Sequence, residues 1–132
     1  MRVFLDANLL FSGSKRSSSV AEFIAFLSQK TELFTSDLAK EEARRNIEAK
    51  KPAWKEDFDK IISQVSELPT VLRSLPVELA EKDIPILTSA IAGKCDYFVT
   101  GDKRDFGHLF GKTVAGVKIV SLVSMAEILM TL

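Results

Sequence analysis

The sequence predicts an α/β fold built on a parallel sheet, and three features of the residue pattern carry that prediction. Apolar runs of strand length alternate with longer amphipathic runs, the order expected when helices connect parallel strands. Arg2–Leu5 is continuously apolar after its first residue, as a central strand covered on both faces would be. Capping signals stand in front of the amphipathic runs, and proline or polar stretches interrupt them.

Along the chain, Arg2–Leu5 opens the sheet and Ser12–Ser19 reads as a polar, flexible loop. Ser19-x-x-Glu22 forms a capping box for a helix whose apolar face is Val20, Phe23, Ile24 and Leu27. Leu33–Thr35 is a short strand, and Ser36 caps a helix running to about Lys50. Lys51-Pro52 ends it. Pro52 suits the first turn of the next helix, which carries Trp54, Phe58, Ile61, Ile62 and Val65. Leu68–Leu72 is a weak strand, and a helix begins near Asp83 with Leu87, Ala90 and Ile91 inward. Asp96–Thr100 and Val117–Val120 are further strands, and Ser124-x-x-Glu127 caps a last helix ending at Ile128-Leu129. Residues 1–132 fit one domain, with no internal repeat or linker.

Composition narrows the function classes. With 46% hydrophobic and 27% charged residues the chain reads as a soluble globular protein. Lys+Arg 18 against Asp+Glu 18 excludes a globally basic nucleic-acid binder but leaves room for a local basic patch. A single cysteine, Cys95, rules out a disulfide framework or thiolate metal cluster and makes a reducing cytoplasm the expected location. Asp6 and Asn8 interrupt the apolar opening, so it does not read as a signal peptide, and no run has the length of a membrane span.

Four carboxylates stand where an acid should cost stability. Asp6 ends the run Val3-Phe4-Leu5, and Asp102 follows Tyr97-Phe98-Val99-Thr100-Gly101. In open parallel sheets that edge is where ligands bind, although an Asp there can equally start a turn or cap a helix. Helical winding puts Glu42 between Leu38 and Ala39 on the apolar face, near Asn46, and sends Glu41 outward beside Arg44. Asp83 faces the side of Leu87 and Ala90, but before Ile84-Pro85 it reads on its own as an N-cap. Asp105 is an outer ligand candidate that could instead pair with Lys103 or Arg104. Asn8 could orient a carboxylate or a metal-bound water.

Acids that converge without a buried cation imply a bound one. An all-oxygen ligand set suits Mg²⁺ or Mn²⁺, which would turn a cluster that repels a phosphodiester into one that binds it and activates water. His108 and Cys95 lack partners for nucleophilic catalysis and read as structural. Lys15, Arg16, Arg44, Arg45, Lys103 and Arg104 adjoin the acids and could contact a polyanionic backbone.

In these residues the chain resembles the PIN-domain family, including the VapC-type ribonuclease toxins of prokaryotic toxin–antitoxin pairs. Val3-Phe4-Leu5-Asp6-Ala7-Asn8-Leu9-Leu10 is similar to the family's first strand, whose Asp is a metal ligand. Ser36-Asp37-Leu38-Ala39-Lys40-Glu41-Glu42 resembles the stretch with the second acid, which aligns best with Glu42. Asp83-Ile84-Pro85-Ile86-Leu87-Thr88-Ser89-Ala90 resembles the third-acid helix. Phe98-Val99-Thr100-Gly101-Asp102 resembles the fourth-acid strand, where Thr100 supports the site. The resemblance covers nearly the whole chain. It implies a three-layer α/β/α sandwich related to the 5′-nuclease fold and Mg²⁺- or Mn²⁺-dependent cleavage of single-stranded RNA. It also implies homodimers, neutralisation by an antitoxin, and a ligand role for Asp83. The Ser12–Ser19 loop is longer than in compact toxins.

Other phosphate chemistries fit less well. A haloacid-dehalogenase-like site needs Asp two residues after its nucleophile, where Asn8 stands, and a receiver-like site needs an acidic pair and a late Lys. The alternative within the same fold is a non-catalytic module that binds RNA or protein.

Overall fold

The computed structural model describes residues Met1–Leu132. Six strands, β1 (Arg2–Leu5), β2 (Glu32–Ser36), β3 (Ser66–Leu68), β4 (Tyr97–Val99), β5 (Thr113–Val114) and β6 (Val117–Val120), form one sheet in the order β3-β2-β1-β4-β6-β5. All neighbours are parallel except β5, which pairs antiparallel with β6. That hairpin edge is absent from the sequence expectation. Its two-residue turn is Ala115-Gly116, both at positive φ, the geometry that matches the twist of a tight hairpin.

Seven helices, α1 (Ala7–Ser12), α2 (Ser19–Lys30), α3 (Asp37–Lys50), α4 (Lys55–Ser63), α5 (Ile84–Ala92), α6 (Lys103–Phe106) and α7 (Leu122–Met130), connect and cover the strands. In β1, Val3, Phe4 and Leu5 are all buried in succession, so both faces of the central strand are covered. The strand order reverses between β1 and β4: the chain builds β2 and β3 on one side, then returns to build β4, β6 and β5 on the other. A crevice at the C-terminal ends of β1 and β4 follows from that reversal.

Several boundaries differ from the sequence reading for identifiable reasons. A short helix absent from the sequence reading, α1, precedes the polar stretch Ser12–Ser19, and within that stretch Gly13 and Ser14 are buried, the Ser14 hydroxyl donating to Leu10 O at 2.7 Å. Ser18, not Ser19, caps α2. Its Oγ accepts from Ala21 N at 3.0 Å, and any serine of that run had the chemistry to do so. Ser121 caps α7 one turn earlier than expected, accepting from Ser124 N. The weak strand lies at Ser66–Leu68, because Pro69 has no N–H for the ladder, and Leu72 is exposed. Trp54 falls in a 3₁₀ turn, Pro52–Trp54, ahead of α4.

Three phenylalanines tie the sheet to the segment that follows β4. Phe4 and Phe98 stack with ring centroids 5.1 Å apart, and Phe98 meets Phe106 of α6 at 5.0 Å. All three are fully buried. Truncating Phe98 to Ala should cost about 3–5 kcal/mol of unfolding free energy in urea denaturation. A loss below about 1 kcal/mol would show that this stack does not anchor the sheet.

Candidate metal centre

The parallel register of β1 and β4 sets Leu5 level with Val99, and Asp6 N donates to Val99 O at 3.0 Å. The next residues of the two strands, Asp6 and Thr100, therefore meet across the crevice. Thr100 Oγ1 donates to Asp6 Oδ2 at 2.7 Å and accepts from Asn8 Nδ2 and from Asp102 N, each at 3.1 Å. Asn8 Nδ2 also donates to Asp6 Oδ2 at 3.0 Å, and Asn8 Oδ1 accepts from Gly101 N at 2.8 Å. A Cβ on Gly101 would sit 3.2 Å from that Oδ1, so glycine permits the approach.

Asp6 and Asp102 also cap the helices that follow them. Asp6 Oδ1 accepts from Ala7 N at 2.8 Å, and Asp102 Oδ1 from Asp105 N at 3.0 Å. For these two residues, capping and a place at the strand ends coexist. Asp83 reverses the expectation. It occupies the N-cap position of α5, but its side chain makes no capping bond. It is buried, and its Oδ2 has no hydrogen-bond partner. A buried carboxylate oxygen with nothing to bind is costly unless a proton or a cation neutralises it.

Carboxylate oxygens of Asp83, Asp102 and Asp105 lie within 4.8 Å of one another. Asp105, an outer candidate in the sequence, is inside this tight group. Asp6 and Glu42 fall outside it. They still belong to the same field, because the charge on Glu42 raises the Asp6 pKa and that on Asp6 raises the Asp83 pKa. Glu42 is half-buried beside the apolar stripe Ala39, Ala43 and Ile47 of α3. Leu38, expected on that stripe, is exposed. Glu41 turns outward and pairs with Arg44.

Burial is the main cause of the unusual titration here. It pushes Asp6 up to about 6 against the hydrogen bonds from Thr100, Ala7 and Asn8, with Glu42 adding to the rise. Burial likewise pushes Asp83 up to about 7, opposed by Lys82 and reinforced by Asp6 and Asp105. Partial desolvation of Asp105 works upward too, but bonds with Lys82, Asp83 and Asp102 hold it below the usual carboxylate range.

Nothing in the sequence pattern singles out Lys82. Its Nζ lies 3.4 Å from Asp105 Oδ2, and the charges on Asp83, Asp105 and Glu42 all raise its pKa. Its position directly before Asp83 becomes a signal only with that acid buried. Its side chain is 66% exposed, so it screens the acids from the rim and leaves Asp83 Oδ2 unpartnered. Of the basic candidates, Arg16 is paired with Asp57 at 3.3 Å, and Arg44 is engaged by Glu41 and Glu48. Lys15, Arg45, Lys103 and Arg104 make no ion pair. Burial raises the Cys95 thiol to about 11, which keeps it from acting as a thiolate.

No protein-family model matches the chain. No curated protein sequence matches it significantly. Among solved structures it is similar to a chain in the crystal structure of VapBC2 from Rickettsia felis bound to a DNA fragment from their promoter. The two share 13% identity at a TM-score of 0.67, over 92% of this chain and 98% of that one. A likeness at that identity establishes a common, PIN-like fold. No helix is long and apolar enough to cross a membrane.

The raised acids make metal-free stability fall with pH. Asp6 and Asp83 hold protons more tightly folded than unfolded, so their contribution is complete below about 3.8, the unfolded value. It is lost as pH rises through about 6 for Asp6 and about 7 for Asp83. Urea denaturation in EDTA should show Asp83→Asn gaining stability relative to the parent protein as pH rises from about 4 to about 7, the span between the unfolded and folded values. A constant difference across that range would show that Asp83 titrates normally.

Proposed function

We propose that residues 1–132 form one nuclease domain that hydrolyses phosphodiester bonds of single-stranded RNA with Mg²⁺ or Mn²⁺. In this reading the chain is the toxin of a type II toxin–antitoxin pair, working as a homodimer in the cytoplasm and neutralised by an antitoxin. The observation that carries the chemistry is Asp83 Oδ2, a buried carboxylate oxygen without a partner, set among further acids at the sheet's switch point. The PIN-like fold and the resemblance of the four acid-bearing stretches support the substrate class.

The residues fit a hard cation. Asp83, Asp102 and Asp105 would hold it, with Asp6 and Glu42 completing the site. Bound there, it would supply Lewis-acid charge at the phosphate and lower the pKa of a water. The chain's own groups do the rest. Thr100 and Asn8 fix the Asp6 carboxylate, so its lone pairs keep one orientation. Asp102 is held by its bond from Asp105 N. Lys82 stands at the rim with a charge able to meet a phosphate oxygen once the acids are neutralised. Lys103 and Arg104, free of ion pairs, suit the flanking backbone.

Asp83→Asn separates this from the reading as a binding module. Asn is as good at an N-cap position as Asp, so the variant should fold. Calorimetry should show Mn²⁺ affinity falling by at least about 10-fold, the scale of a lost ionic ligand contact. Cleavage of a fluorescent single-stranded RNA should fall with it. Unchanged cleavage would remove Asp83 from the site. Mn²⁺ binding by the parent protein with no cleavage of any RNA would favour the binding module.

A further inference from the structure

Beside the acids lies an open cleft of about 670 Å³, which the chemistry proposed above does not use. One wall is the segment Val77-Glu78-Leu79-Ala80 together with Ile84, and the other is Arg104, Asp105 and His108. Across the two walls His108 Nε2 donates to Glu78 O at 2.8 Å, and Lys82, between Ala80 and Ile84, reaches Asp105 at 3.4 Å. The cleft joins the acid group at Asp105, which belongs to both, and at Ile84, which follows Asp83.

We infer that this cleft is a nucleobase subsite, seating one base of the RNA next to the scissile phosphate. The inference rests on the nuclease reading and deepens it by naming where a base is held. Shape and chemistry both favour a base. The volume lies in the range of small-molecule sites, and Val77, Leu79, Ala80 and Ile84 offer an apolar surface for a planar ring. Arg104 has no ion pair, and its guanidinium can stack on a base or meet the adjoining phosphate. The bond to Glu78 O uses the proton on His108 Nε2 and leaves Nδ1 for the hydrogen-bonding edge of a base. Unstacked bases of single strands are recognised by such combinations of apolar surface, cation and hydrogen-bonding edge. Asp105 lines this cleft and also belongs to the acid group, so a base neighbouring a phosphate held at the acids would lie within its reach. His108 thereby has a role beyond the structural one expected from the sequence.

Two measurements test this. The first needs no catalysis: amide chemical shifts of the Mg²⁺-loaded protein are followed as each of the four nucleoside 5′-monophosphates is added. At least one should shift Leu79, Ala80, Ile84 and His108 saturably, with affinity at least about 5-fold weaker in His108→Ala and Arg104→Ala. Both residues are exposed, so both variants should fold. The second maps the cut in a short RNA and replaces each nucleotide around it by an abasic one. One abasic position should lower kcat/KM about 10-fold, and that penalty should largely vanish in His108→Ala. Silent cleft amides with every nucleotide, or an abasic penalty unchanged by His108→Ala, would overturn the subsite even if the parent protein cleaves RNA well. Such a result would leave the cleft to a protein contact. A parent protein that cleaves no RNA but shifts the cleft amides would fail the nuclease reading and keep the base site.

Discussion

The hydroxyl of Thr100 is the contact on which the geometry at the sheet edge depends. A hydroxyl has one proton to give and two lone pairs to receive, and here all three are used: Asp6 takes the proton, while Asn8 and the Asp102 amide fill the lone pairs. One buried atom thus links the end of β1, the start of α1 and the turn into α6. The link exists because β1 and β4 are adjacent and in register, so that Asp6 and Thr100 come level. Phe106 locks the other end of α6 onto Phe98, so that Asp102 and Asp105 are held from both sides.

That scaffold places acids where neither burial nor mutual repulsion favours them. Unit charges about 4 Å apart repel by about 4 kcal/mol at an effective dielectric constant of about 20. The metal-free protein relieves this by holding protons, most tightly on Asp83 and Asp6, and by bringing Lys82 to the rim. A divalent cation would offer the same relief at neutral pH without protons. On the proposed reading the site would trade apo stability for metal affinity, and the one unpartnered buried side-chain oxygen belongs to a member of this acid group.

The sequence made the sheet and the acids legible to different degrees. Short, mainly apolar runs located β1, β4 and β6, and Ser36 and Pro52 marked helix starts that the structure also has. Runs of interchangeable caps were not decidable: Ser18 and Ser19 offer the same hydroxyl, as do Ser121 and Ser124, and only tertiary packing selects between them. The β5–β6 hairpin was invisible because Ala115-Gly116 is a weak turn signal and β5 is only two residues long. At the candidate site, strand-end placement pointed to Asp6 and Asp102. Nothing in residue spacing could show that Asp83 leaves its cap unmade, that Lys82 reaches Asp105, or that His108 closes a cleft against Glu78. Those are contacts between segments distant in sequence or set by side-chain rotamers, which periodicity does not encode.

The most direct test is anomalous diffraction from crystals grown at about pH 8 and equilibrated with Mn²⁺, collected where manganese scatters anomalously. The account predicts a manganese peak among Asp83, Asp102 and Asp105, with Asp83 Oδ2 in its coordination sphere and Thr100 still bound to Asp6. Manganese found only on other surface carboxylates, with Asp83 Oδ2 still unpartnered, would contradict it.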